Sequence, residues 1–128
     1  MSNPGTLLIL AGFHSLAFAV FHTAFWRLFS WGSQLPRLTP VNRGILQVLN
    51  LCLTFVFAAF GLLVLMYRSE LLITPFGRAF LAVISLFWVL RLVMQFVFFS
   101  YRHWASVLLS ALFVLGALLH GLPLWHMN

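Results

Sequence analysis

Apolar residues fill this chain in four long runs, separated by short polar or proline-bearing stretches. A helix crossing the hydrocarbon core of a bilayer needs about 20 predominantly apolar residues. The pattern predicts four such helices, over residues 6–31, 44–66, 75–99 and 104–122. Gly32, Pro36 and Pro40 form the densest cluster of helix breakers, between the first two runs. Pro75 suits the first turn of the third helix, and Pro123 closes the fourth. Short connections make consecutive helices antiparallel neighbours. The expected fold is therefore all-α, an integral membrane four-helix up-down bundle, with residues 1–128 as a single transmembrane domain. No internal repeat is visible, which weighs against an inverted-repeat transporter within one chain.

Polar and small residues inside the runs keep helical spacing. On the second helix Arg43, Gln47, Asn50, Thr54, Ala58 and Gly61 recur every three or four residues, forming one stripe. The third helix carries Trp88, Arg91 and Gln95 at the same spacing. On the fourth, Ser106, Ser110, Ala117 and Gly121 make a small-residue face suited to close packing. Such stripes either bond helices together or line a cavity.

Composition strengthens the membrane reading. The chain is 63% hydrophobic and 6% charged, against roughly 25% charged in soluble domains. Its formal charge of +6 is spread thinly along the sequence. That excludes a nucleic-acid surface, which needs clustered Lys and Arg, and points to lipid headgroups. Arg27, Arg37, Arg43 and Arg102 fall on the side of loops one and three, whereas Arg68 and Arg78 share loop two with Glu70. The positive-inside bias then places loops one and three in the cytoplasm and both termini outside. Trp31, Tyr101 and Trp104 are expected at one membrane interface, with Tyr67 and Trp125 at the other. The single cysteine, Cys52, reads as a small buried hydrophobe. The N-terminus has no basic region, and its apolar run exceeds a signal-peptide core, so it reads as a retained span.

Arg91 is the sharpest chemical feature. It stays protonated, and no span contains an Asp or Glu to neutralise it. Its partners are lipid phosphates reached by snorkelling, backbone carbonyls and amides such as Gln95 and Asn50, or an anionic ligand. By helical rise, His22, Arg43, Gln47, Asn50, Arg91 and Gln95 share one half of the membrane, and with Trp26 and Trp88 they form the candidate ligand-binding or anion-binding set. His14 and His22 differ in depth by about 12 Å, too far to ligate one metal ion. His14 instead shares the outer half with His120, and that pair is the candidate for haem held from two helices, with quinone as a related alternative. No metal site of the carboxylate type is expected.

The near-absence of acids also removes a Ser-His-Asp triad and paired-carboxylate chemistry. Without lysine there is no Schiff base. No catalytic residues are assigned. The first helix lacks the acid on which small multidrug exporters depend.

Three blocks carry a resemblance: residues 21–31 (FHTAFWRLFSW), Asn42-Arg43 with Gln47 and Asn50, and Phe87-Trp88 with Arg91 and Gln95. They resemble an uncharacterised family of small four-span bacterial integral membrane proteins. The resemblance implies a bacterial inner-membrane setting and carries no activity with it. The expected function is that of a non-enzymatic subunit or accessory protein, working as a homo-oligomer or with a partner membrane protein in the lipid bilayer. The alternatives are a haem- or quinone-binding redox bundle and an anion or small-solute channel or transporter using Arg91.

Overall fold

The computed structural model describes residues 3–126, which are helical almost throughout, with no strand among them. Four helices are long and apolar enough to cross a membrane, and the chain is a helical membrane protein. They are α1 (Pro4–Thr23), α4 (Pro40–Met66), α6 (Pro75–Phe98) and α7 (Trp104–Gly121), the last extended by a 3-10 segment, Leu122–His126. Between them lie the short helices α2 (Phe25–Leu28), α3 (Trp31–Gln34) and α5 (Arg68–Ile73), with a 3-10 turn at Leu35–Arg37. The 20 residues of α1 reach about 30 Å, one hydrocarbon thickness.

Three of the long helices start the same way, with a side-chain acceptor followed by proline. Asn3 Oδ1 accepts from Gly5 N at 2.9 Å, and Thr74 Oγ1 accepts from Gly77 N at 3.0 Å. Thr39 Oγ1 takes the amide of Asn42 at 3.4 Å. Each following proline fills a first-turn position whose N–H has no partner inside the helix. Here the structure corrects the expected second span: α4 begins at Pro40, not near residue 44, because proline after a capping threonine starts a helix rather than interrupting one.

The first span is corrected at its other end. α1 does not continue to Trp31 but stops at Thr23, and a separate short helix, α2, follows Ala24. In a longer helix Ala24 N would bond to Val20 O, but that carbonyl accepts Thr23 Oγ1 at 2.6 Å. Ala24 N turns instead to Phe21 O at 3.1 Å, and the last turn tightens. Ser30 then takes a left-handed conformation, φ 52°, and α3 starts from its carbonyl. Trp31 is consequently buried. Trp104 and Trp125 do lie exposed. Cys52 is exposed on α4, not buried as expected.

The chain divides into two compact units, Gly12–Leu63 and the remaining described residues. In the first, α1 and α4 approach so closely that a Cβ on Gly61 would lie 2.6 Å from Leu16 Cγ and 2.8 Å from the Gly12 carbonyl oxygen. In the second, a Cβ on Gly77 would meet the backbone of Leu71, so α5 folds tightly over the start of α6. Further along, Ser85 Oγ donates to Ala117 O at 2.9 Å and ties α6 to α7.

Candidate functional site

The candidate residues divide between the two units: His14, His22, Trp26, Arg43, Gln47 and Asn50 in one, Trp88, Arg91, Gln95 and His120 in the other.

The stripe on α4 is its inward face. Asn50, Phe57, Gly61 and Val64 are buried along it, whereas Val48, Leu49, Leu51 and Phe55 on the flanks are exposed. Asn50 lies one helical turn beyond Gln47, and its Nδ2 donates to the backbone carbonyl of His22 at 3.0 Å. Asn50 Oδ1 is buried with no hydrogen-bond partner among the described residues. Gln47 and Thr54 bond within their own helix, Gln47 Nε2 to Arg43 O at 3.1 Å and Thr54 Oγ1 to Asn50 O at 2.8 Å.

His22 sits in an aromatic box. Its Nδ1 donates to Phe18 O at 2.8 Å, which fixes the tautomer with the hydrogen on Nδ1. The ring stacks on Phe25 at 4.5 Å between centroids and lies 5.0 Å from Phe57. Phe25 in turn meets Phe21, Phe29 and Trp31 edge to face, and Trp26 meets Trp31 at 4.9 Å. These offset and edge-on contacts are the favoured arrangements for aromatic pairs. The box closes the α1–α4 end of this unit, and none of its phenylalanines stood out in the hydropathy pattern. His14 is buried farther up α1, its ring 5.0 Å from that of Phe18.

The second cluster is built on α6 and α7. Gly77, Leu81, Ile84, Trp88 and Gln95 are the buried line of α6, and half-buried Arg91 falls on it. Trp88 stacks on Phe113 of α7 at 5.9 Å. Arg91 Nη1 donates to Gln95 Oε1 at 3.1 Å. The guanidinium carbon lies 4.5 Å from the centre of the Phe113 ring and 5.7 Å from that of Phe99. Facing aromatic rings stabilise a cation through their quadrupoles, most of all where water is scarce. Of the partners considered for Arg91 on sequence grounds, the amide of Gln95 is therefore real, and two aromatic faces join it. The donor Nε2 of Gln95 is buried without a hydrogen-bond partner among the described residues.

Tyr101 closes this end. Its hydroxyl donates to Ser110 Oγ at 2.7 Å, and Ser110 Oγ passes its own hydrogen to Ser106 O at 2.8 Å. The Tyr101 ring stacks on Phe96 at 5.0 Å. The small-residue face of α7 is thus spent inside the hairpin: Ser110 holds Tyr101, Ala117 accepts from Ser85, and a Cβ on Gly121 would stand 2.9 Å from Ser85 Oγ. His120 is fully buried, with Nδ1 donating to Gly116 O at 2.8 Å.

Among the described residues no three His, Cys, Asp or Glu side chains gather closely enough to hold a metal ion. A separate open groove of about 620 Å³ lies at the start of α6, lined by apolar side chains of α5 and α6 together with Thr74 and Arg78. The chain matches no family model, no curated protein and no solved structure.

Proposed function

We propose that this protein is a non-enzymatic membrane subunit or accessory protein of the bacterial inner membrane, working in an assembly with copies of itself or a partner membrane protein. The observation that carries the reading is how the polar side chains of the spans are used. Asn50 bonds to the backbone of His22, Ser85 to that of Ala117, and Tyr101 to Ser110. These groups hold helices together, which is the ordinary work of polar residues in membrane bundles. Among the described residues the connections between the long helices run from five residues, between α6 and α7, to sixteen, between α1 and α4.

In this reading loops one and three face the cytoplasm. Arg27, Arg37, Arg43 and Arg102, of which Arg43 is half-buried and the others exposed, are assigned to that side, against Arg68, Arg78 and Glu70 on the other. Because the small face of α7 is used within its own hairpin, contact with other subunits falls to the exposed apolar faces.

Native mass spectrometry of the protein released gently from its membrane tests the proposal. A defined stoichiometric assembly is expected. Monomers alone, with no co-purifying protein, would contradict it.

A further inference from the structure

We propose that Arg91 is a phosphate-binding residue, holding an anionic phosphate at the loop-three face of the membrane, and that its chemistry suits the phosphodiester of an anionic lipid. This goes beyond the assembly role and does not depend on it.

The first argument is charge. Arg91 lies seven residues before the end of α6, so about 10 Å inside the span. Glu70, the only acid in the chain, precedes the start of α6. Its neighbour Leu71 packs at the level of Gly77, about 21 Å from Arg91 along the helix axis, which is beyond any direct pairing. A guanidinium inside the hydrocarbon region requires a counter-charge or a route to the headgroups.

The second argument is direction. Helix side chains normally lean toward the N-terminus. Arg91 runs the other way, meeting Gln95 one turn later and reaching the ring of Phe99 beyond the end of α6. The side chain is drawn toward the loop-three headgroup layer, the shorter way out for a long cationic stem.

The third argument is preorganisation. Guanidinium offers five N–H donors in a planar fork. Gln95 takes one of them, and no other described residue accepts a hydrogen bond from the rest. The guanidinium carbon lies over the rings of Phe113 and Phe99, which accept no hydrogen bonds of the ordinary kind. Gln95 thus fixes the plane of the fork while leaving donors for two phosphate oxygens, the bidentate geometry in which arginine excels. Half-burial leaves the group reachable. Exposed Arg102, in the loop that Tyr101 pins to Ser110, adds positive potential beyond the end of α6, on the side toward which Arg91 reaches.

The test uses the full chain in detergent, titrated with phosphatidylglycerol, with diacylglycerol as a phosphate-free control, or with inorganic phosphate. Native mass spectrometry reads retained lipid, and thermal unfolding reads stabilisation. One phosphatidylglycerol per chain is expected to be retained, with diacylglycerol lost. Arg91→Gln should weaken retention about tenfold or more, and Arg102→Gln by about twofold or less. Saturable stabilisation by inorganic phosphate, lost in Arg91→Gln and matched by no lipid effect, would keep the phosphate site and assign it to the free ion. Equal phosphatidylglycerol retention by wild type and Arg91→Gln, without that phosphate effect, would overturn the proposal. So would an acidic residue of a partner protein crosslinked at position 91. If Arg91→Gln does not fold, Arg91→Lys decides: it keeps the charge and loses the fork, so affinity for the phosphate probe should fall several-fold. Unchanged affinity in that variant overturns the proposal.

Discussion

Asn50 Nδ2 donates to the backbone carbonyl of His22 across 3.0 Å, joining the polar stripe of α4 to the last turn of α1. The amide uses its donor and leaves Oδ1 buried without a partner among the described residues. Those two facts set the outcome of substitution. Asn50→Leu removes the bond and the orphaned acceptor together, so its cost should stay within about 1 kcal/mol. Asn50→Asp loses the donor and buries a carboxylate, and should cost about 2 kcal/mol or more. Thermal unfolding of both variants in detergent checks the order. Equal losses would mean that Asn50 is not the interhelical link.

Gly61 and Gly44 provide a contrast on the same helix. A Cβ at Gly61 would enter the van der Waals space of Leu16 and of the Gly12 carbonyl, whereas nothing lies within 4 Å of one at Gly44. Gly61→Ala should therefore destabilise by about 1–3 kcal/mol through overpacking. Gly44→Ala should be neutral or stabilise by up to about 1 kcal/mol, because alanine restricts the unfolded chain and favours helix. Paired unfolding curves are sufficient.

The α6–α7 hairpin is held at Ser85, which bonds to Ala117 O and fills the space beside Gly121. Ser85→Ala should cost about 0.6 kcal/mol, the average found for such bonds in a membrane protein. Ser85→Leu should cost several-fold more, since its extra carbons have no room against Gly121. A Leu variant as stable as the Ala variant would show that the two helices are not packed this closely.

Tyr101→Phe removes the hydroxyl from Ser110 while leaving the ring on Phe96. Loop three should then exchange its amide hydrogens faster, with exchange in the middle of α6 and α7 unchanged. Hydrogen exchange read by mass spectrometry resolves the two regions.

Much of this was legible in spacing. The recurrence from Arg43 to Gly61 marks the inward face of α4, and the recurrence of Trp88, Arg91 and Gln95 marks that of α6, because burial follows the helical repeat. Helix starts are legible only in part: Pro75 reads as a first-turn proline and Pro40 as a breaker, although a threonine caps the helix ahead of both. The end of α1 is hidden because residues 24–31 remain mostly apolar, with Arg27 and Ser30 the exceptions. A hydroxyl competing for Val20 O and a set of rings packing on one another decide it, and neither alters hydropathy. Phe113 over Arg91 was equally invisible, since it depends on the register between α6 and α7 rather than on spacing within either.

The hairpin contacts, the placement of Arg91 and the charge bias all presuppose that the chain crosses the membrane four times. Single cysteines at Ser33, Ser69 and Ser100, which are exposed in the three connections, test this directly in a Cys52→Ala background. A membrane-impermeant maleimide should label Ser33→Cys and Ser100→Cys from the cytoplasmic side and Ser69→Cys from the opposite side. Labelling of Ser33→Cys and Ser69→Cys from the same side would contradict the four-span account.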